Sequence, residues 1–288
     1  MPIVEIDGIK TRYETLGSGP PILMYAPGGF NATLDNWSAL GIYARTRPLE
    51  HLSQRYTCII FDRRETGESG GRLELLTWGL YVTQGKGLLD HLGIERAHLM
   101  GGCQGCSPVL AFAVTHPQAV ASMILYWPTG GPKYRESCLQ RFALHLQFVQ
   151  QSGLAEVVAL ARQSGKSFNA DPRCGPWAAT LRGDPAFARH YCALDRDHYT
   201  RLVAEMSRGL FDRDTVAGAE PKDLAQLQIP ALIIPGNDDS HATAAARYLE
   251  ECLPKAEYWD VAVPEQTEAR TSDRLLDFLG AQRAQAKL

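Results

Sequence analysis

Residues 97–107 read Ala-His-Leu-Met-Gly-Gly-Cys-Gln-Gly-Cys-Ser, and this stretch decides the fold. A short apolar run meets a glycine-rich segment, and a helical pattern follows over residues 107–113. Glycine lets a tight strand-to-helix turn close where a Cβ would clash, and Cys103 lies at the apex of this turn. A thiol at the N-terminus of a helix is favoured as the thiolate, which is the nucleophilic form. The stretch therefore predicts either an activated cysteine or a buried, inert one.

The composition is typical of a soluble globular protein. The 288 residues are 45% hydrophobic and 21% charged, and the net charge of −3 gives no reason to expect nucleic acid or an anionic membrane as a partner. No apolar run approaches the roughly 20 residues of a membrane span, and residues 1–7 lack the pattern of a signal peptide. Seven cysteines, an odd number, favour reduced thiols and a cytoplasmic location. We expect a small-molecule substrate, and a homodimer is compatible with the sequence.

Strand and helix patterns alternate on both sides of the central stretch. This alternation is typical of βαβ units and a mainly parallel sheet. The Asp7-Gly8 pair between the first two apolar segments predicts a hairpin. Strands are predicted at residues 3–6, 11–16, 21–25, 56–61, 98–100, 121–127, 229–235 and 256–260, and core helices at 37–52 (interrupted near Pro48), 77–92, 107–113, 243–253 and 271–285.

The alternation of strand and helix patterns stops between the predicted strands at 121–127 and 229–235. Helix-period apolar residues recur there at 138–151, 154–163, 185–191 and 198–210, with no intervening strand pattern. The sequence therefore predicts an α/β core from residues 1–128 and 224–288, with a helical cap formed by residues 129–223.

Four ordered features make the chain resemble an α/β-hydrolase. They are the Pro27-Gly28-Gly29-Phe30 loop, the turn at residues 62–69, the glycine-flanked Cys103, and Pro235-Gly236-Asn237-Asp238-Asp239 after a strand. The resemblance covers nearly the whole chain. It implies a mostly parallel eight-stranded sheet with flanking helices, an inserted helical cap, and Cys103 at the nucleophile elbow where the family motif G-x-S-x-G has serine.

The resemblance also implies roles for residues near the elbow. In the family, the oxyanion hole uses the backbone N–H after the nucleophile and one from the loop after the third strand. Here these are Gln104 and either Gly29 or Phe30. The acid of the triad is expected at Asp239 or at its neighbour Asp238.

The sequence departs from the family pattern at the base. The loop at residues 261–267 contains no histidine where the family usually has one, and His241 is the last histidine in the chain. We expect His241 to serve as a relocated base beside Asp239. The alternatives are Glu265 as a carboxylate base or a histidine of the cap: His145, His190 or His198. A cysteine depends less on a base than a serine does, so the serine-to-cysteine change and the missing histidine belong together.

Three further features have more than one interpretation. Arg64 follows a core strand and could bind a substrate carboxylate, or it could pair with Glu65 or Glu68. Trp127 is expected to line the substrate pocket with the aromatic residues of the cap, although most of those residues also suit the cap's own core. Cys103 and Cys106 form a C-x-x-C pair, which would suit a redox site, whereas no second motif points to a metal.

The resemblance and the elbow together predict a hydrolase with a cysteine nucleophile and a backbone oxyanion hole, which needs no cofactor. Its substrate would be a small ester, lactone, thioester or activated C–C bond. The alternatives are a non-hydrolytic protein of the same fold, acting as a lyase, in cofactor-free chemistry or in ligand binding, and a redox sensor that uses Cys103 and Cys106.

Overall fold

An eight-stranded sheet forms the centre of the fold in the computed structural model, which describes residues 2–285. The strands lie in the order β1-β2-β4-β3-β5-β6-β7-β8. The pairings of β2 with β1 and with β4 are antiparallel, and all the others are parallel. The strands are β1 (Ile3–Ile6), β2 (Ile9–Leu16), β3 (Pro21–Tyr25), β4 (Thr57–Phe61), β5 (Ala97–Gly102), β6 (Val120–Tyr126), β7 (Ala231–Ile234) and β8 (Ala256–Tyr258).

Apolar composition and turn chemistry explain where the strands lie. β3, β5 and β7 are continuous apolar runs, and they form the buried parallel centre of the sheet. Asp7 and Gly8 both have positive φ, at 50° and 68°, as a type I′ hairpin turn requires. The predicted hairpin and the mostly parallel sheet are therefore confirmed.

Helices cover both faces of the sheet. One apolar cluster contains Leu23, Leu99 and Phe112, and a second on the other side contains Ile22, Met100 and Phe278. The helices outside the β6–β7 connection are α1 (Asn36–Ala39), α2 (Gly41–Thr46), α3 (Pro48–Leu52), α4 (Trp78–His91), α5 (Cys106–Thr115), α12 (Thr243–Cys252) and α13 (Glu268–Gln285).

The connection between β6 and β7 is helical and has an apolar cluster of its own. This cluster includes Phe142, Trp177 and Tyr199, and Phe30 of the core packs into it. The cap that the sequence predicts at residues 129–223 falls on this helical insertion. Its helices are α6 (Pro132–Ser152), α7 (Leu154–Ser164), α8 (Ala178–Gly183), α9 (Pro185–Cys192), α10 (Arg196–Leu210) and α11 (Pro221–Leu224).

Some helix bounds differ from the prediction. The helix expected at 37–52, interrupted near Pro48, is three short helices. Pro48 starts the third, as expected, and a further break comes at Gly41, where the chain enters a left-handed conformation as it does again at Arg47. Helix α6 begins at Pro132, six residues before the predicted start at 138, since proline suits the first turn of a helix.

Within residues 2–285, no helix combines the length and apolar character needed to cross a bilayer. All seven cysteines are present as free thiols, as the odd number led us to expect.

Candidate active site

Cys103 lies at a strained turn between β5 and α5. Its φ is 54°, a left-handed conformation that non-glycine residues rarely adopt. A Cβ at position 101 would lie 2.5 Å from the carbonyl oxygen of Gly105, and a Cβ at position 105 would lie 2.3 Å from that of Tyr25. Only glycine fits at both positions, and the turn therefore presents the thiol at the carboxyl edge of the sheet.

His241 and Asp238 lie together in the loop after β7. His241 Nδ1 and Asp238 Oδ1 are 2.8 Å apart, and Asp238 Oδ1 also accepts hydrogen bonds from the backbone N–H groups of Ser240 and His241. Gly236 makes room for the imidazole, because a Cβ there would lie 2.6 Å from the Cβ of His241. The carboxylate thereby fixes the ring from its Nδ1 side.

The other ring nitrogen of His241 faces the thiol of Cys103. Nε2 is buried and has no partner with full hydrogen-bond geometry, but the imidazole and the thiol are close enough to shift each other's pKa. Contacts of catalytic groups are often loose in a protein without substrate. The structure therefore brings Cys103 and His241 together, as the sequence prediction of a relocated imidazole requires.

The two groups favour each other's charged form. Burial alone would raise the pKa of Cys103, but His241 and the backbone N–H groups of Gln104 and Gly28 outweigh it and hold that pKa below its ordinary value. Burial would likewise lower the pKa of His241, but Cys103 and Asp238 outweigh it and raise that pKa. Both shifts move the pair towards a thiolate and an imidazolium.

Two backbone donors reach the sulfur. They come from Gln104, the residue after the apex, and from Gly28, in the loop after β3. The next two residues, Gly29 and Phe30, lie in a short 3₁₀ turn, and the Phe30 ring packs against Phe142 and Phe168. Sequence analysis did not include Gly28, whose φ of 118° turns the loop one residue before Gly29, and the assignment of Gly29 or Phe30 to the oxyanion hole stays a prediction.

Comparisons with known proteins agree with this architecture. A family model described as alpha/beta hydrolase fold matches residues 21–151. The crystal structure of the enol-lactonase from Burkholderia xenovorans LB400 superposes with a TM-score of 0.62 at 19% identity, covering 97% of this chain and 100% of that one. The chain has the α/β-hydrolase fold.

Two curated relatives match part of the chain. The 2-hydroxy-6-oxo-6-phenylhexa-2,4-dienoate hydrolase of Comamonas testosteroni is 34% identical over 127 residues, which are 44% of this chain and 42% of that protein. The dihydrolipoyllysine-residue acetyltransferase component of the acetoin cleaving system of Cupriavidus necator is 32% identical over 126 residues, 44% of this chain and 31% of that protein. The chain thus spans less than half of each relative.

Asp239 does not pair with the imidazole of His241. Its side chain is 79% exposed and accepts a hydrogen bond from Lys133 Nζ at 2.8 Å on the surface. The prediction that places Asp239 beside the imidazole was therefore wrong, whereas Asp238, its stated alternative, contacts the imidazole. Adjacent residues of a turn point in different directions, and the sequence does not reveal which one faces inward.

The side chain of Arg64 is already paired and is not available to bind a substrate. Its guanidinium is buried and binds Glu65, with Nε 2.9 Å from Oε1, and also Glu74. Burial raises the pKa of Glu65 to about 7, with Arg64 acting in the opposite direction. The substrate-binding prediction for Arg64 was wrong, and the structural ion pair with Glu65 was the correct interpretation.

Trp127 supports His241. The two ring centroids are 5.2 Å apart, and Trp127 Nε1 donates a hydrogen bond to Gln266 Oε1 at 2.8 Å. Gln266 is fully buried and donates through Nε2 to the carbonyl oxygen of Pro235 at 2.7 Å. A side chain of the loop after β8, where the family usually has its histidine, therefore holds Trp127 against the imidazole. Sequence analysis missed this role of Gln266.

The alternative bases lie away from the thiol. Glu265 is exposed and pairs with Arg270. His145 is buried in the helical insertion, 2.6 Å from the hydroxyl of Tyr199, while His190 and His198 are exposed. Of the sequence candidates, His241 alone is positioned to act on Cys103.

Cys106 is part of the core. Its thiol donates to the carbonyl oxygen of Gly101 at 3.2 Å and is fully buried. Burial, and then the charge of Cys103, raise the pKa of Cys106 well above its ordinary value. A thiol that resists ionisation is a poor redox partner, so the geometry gives no support to the Cys103–Cys106 redox pair.

Helix α6 borders the site from the helical insertion. Burial is the largest cause of the raised pKa of Tyr134 and of Cys138, and the charge of Cys103 also raises both. The Tyr134 hydroxyl also accepts a hydrogen bond from Gln104 Nε2 at 3.0 Å. Within residues 2–285, no three His, Cys, Asp or Glu side chains are grouped so as to hold a metal.

Proposed function

We propose that this protein is a hydrolase that uses Cys103 as its nucleophile to cleave an ester, lactone, thioester or activated C–C bond in a small substrate. The position of the thiol carries the proposal. It lies at a strained turn, beside the His241 imidazole and two backbone N–H groups. Hydrolysis through a covalent intermediate needs such a nucleophile, a proton-transfer group and donors for an oxyanion.

The proposed reaction has two steps. The Cys103 thiolate attacks the carbonyl carbon, and the N–H groups of Gln104 and Gly28 stabilise the negative charge on the carbonyl oxygen. The His241 imidazolium then protonates the leaving group, which departs and leaves a thioester. His241, now neutral, takes a proton from water, the water oxygen attacks the thioester, and the thiolate is expelled with the acid as product. Asp238 keeps the imidazole oriented throughout.

The relatives bear on the substrate class. The relative from Comamonas testosteroni is named as a dienoate hydrolase, which supports an activated C–C bond as one substrate. A cytoplasmic location and a homodimer stay predictions.

The first test measures the reactivity of the thiol. We expect iodoacetamide to modify Cys103 with an apparent pKa below the value of about 8.5 for a free thiol, because the imidazolium favours the thiolate. The rate is followed from pH 5 to pH 10 by intact-mass spectrometry, with Cys103→Ser as the control that loses the modification. Slow modification with an ordinary or raised pKa would contradict the proposal.

A second test separates two neighbouring carboxylates. We expect Asp238→Asn to lower kcat for 4-nitrophenyl acetate by about 10²-fold or more, since the imidazole loses the anion that orients and charges it. Asp239→Asn is the matched control and should stay within about twofold of the parent, because Asp239 pairs with Lys133 at the surface. Equal losses in both variants would rule out the assignment of Asp238.

A further inference from the structure

Arg63 is a buried cation without an anion. It follows β4 and is 1% exposed, yet no Asp or Glu among residues 2–285 forms an ion pair with it. Its neighbour Arg64, equally buried, binds Glu65 and Glu74. A buried charge without a partner is strongly unfavourable, so a protein that retains one calls for an explanation beyond packing.

One nitrogen of Arg63 connects both sides of the oxyanion hole. Nη2 donates to the carbonyl oxygen of Gly29, and to Oε1 of Gln104 at 3.0 Å. Gln104 supplies one of the two N–H groups that face the sulfur, and Gly29 directly follows Gly28, which supplies the other. A single guanidinium therefore holds together two loops that are far apart in sequence.

The other two nitrogens of the Arg63 guanidinium form no hydrogen bond in the described part of the chain, and the group contacts an aromatic ring. Nε and Nη1 are buried and have no hydrogen-bond partner within residues 2–285, and Cζ lies 4.8 Å from the centroid of the Tyr81 ring. Burial raises the pKa of Tyr81 to about 12, and Arg63 acts against that rise. The positive charge thus acts on its surroundings without being neutralised by a carboxylate.

We propose that Arg63 is the positioning residue of the oxyanion hole. Its side chain fixes the positions of the Gly28 and Gln104 N–H groups relative to each other. Its positive charge is compensated when the carbonyl oxygen of the substrate becomes an anion. An interaction that strengthens as charge develops lowers the barrier without tightening substrate binding. This inference rests on the proposed function of Cys103.

The test compares Arg63→Met with the parent enzyme in the hydrolysis of 4-nitrophenyl acetate. We expect kcat to fall by about 10²-fold, the size of the loss when one oxyanion donor is removed, with KM within about threefold. Arg63→Lys keeps the charge and should recover at least about tenfold of that loss. Arg55→Met is the control on an exposed arginine and should match the parent. A loss in KM alone would overturn the proposal.

A pair of inhibitors distinguishes positioning from general loosening of the fold. Phenyl trifluoromethyl ketone adds a thiolate to give an anionic adduct, whereas acetophenone binds without one. Arg63→Met should weaken the trifluoromethyl ketone by about 10²-fold and leave acetophenone unchanged. If Arg63→Met does not fold, Gln104→Met removes the side-chain acceptor of Arg63 and should weaken the same inhibitor by about tenfold. Equal weakening of both ketones, or of neither, would contradict the inference.

Cys103→Ala, measured in parallel, separates the two possible failures. If Cys103→Ala retains turnover, the proposed function is wrong. If Cys103→Ala is inactive while Arg63→Met matches the parent, the proposed function stands and the role of Arg63 is wrong.

Discussion

Replacement of Cys103 by alanine is expected to lower kcat by about 10⁴-fold or more, the largest effect of any single change in this chain. The nucleophile is then absent, and the oxyanion donors alone give only residual catalysis. The backbone strain at φ 54° is the same for alanine as for cysteine, so the midpoint of thermal unfolding should change little. Steady-state kinetics with 4-nitrophenyl acetate, together with a thermal melt, measure both quantities.

Cys106→Ala is the matched control for that variant. Cys106 is buried three residues further on, and its thiol bonds to the carbonyl oxygen of Gly101. Its loss removes one buried sulfur from the core and should destabilise the fold by about 1–2 kcal/mol. The kcat of Cys106→Ala should remain within about threefold of the parent. A loss as deep as that of Cys103→Ala would favour the redox pair instead.

Replacement of His241 by glutamine should have the second largest effect. We expect kcat to fall by about 10²- to 10⁴-fold, the range for loss of a general acid–base group. The pH dependence should move as well. Burial is the largest single influence on Cys103, and without the imidazolium only the backbone N–H groups of Gln104 and Gly28 oppose it, so the pKa of the thiol rises. Alkylation at pH 7 should therefore slow, with its midpoint at higher pH.

The pH profile of the parent enzyme checks the same pair. Activity should rise with pH as Cys103, whose pKa is lowered, loses its proton, and should fall as His241, whose pKa is raised, loses its own. His198→Gln changes an exposed histidine of α10 and should leave both the rise and the fall of activity with pH unchanged. If His241→Gln kept the alkylation midpoint of the parent, another group would have to activate the thiol.

Much of the fold is predictable from local patterns. Continuous apolar runs predict buried parallel strands, and the Asp7-Gly8 pair allows the positive φ values of the hairpin. The broken helix at residues 36–52 was harder to predict, because its apolar period continues while Gly41 and Arg47 leave the helical conformation. Periodicity reports which face is buried, whereas the path of the chain between turns depends on single backbone angles.

The site is less predictable than the fold. Cys103 and Gln104 follow from the elbow motif, since the motif fixes their backbone. In the open loops, the sequence offered Asp239 or Asp238 as the acid, and it left Arg64 open between a substrate carboxylate and an ion pair. Asp238 and Asp239 show the reason: these adjacent residues have the same chemistry, but one contacts the imidazole and the other pairs with Lys133 at the surface. Residue type alone does not indicate which of two adjacent side chains faces inward.

The turn that carries Asp238 and His241 is attached to the first residues of the helical insertion. Gly130 N–H donates to the carbonyl oxygen of Ser240 at 3.1 Å, and Ala242 N–H donates to that of Gly130 at 3.4 Å. Asp238 and His241 lie on this one short turn, where the contact of Oδ1 with Nδ1 at 2.8 Å holds the two side chains together. These two backbone hydrogen bonds tie the position of the turn, and with it the distance between His241 Nε2 and Cys103 Sγ, to the start of the helical insertion.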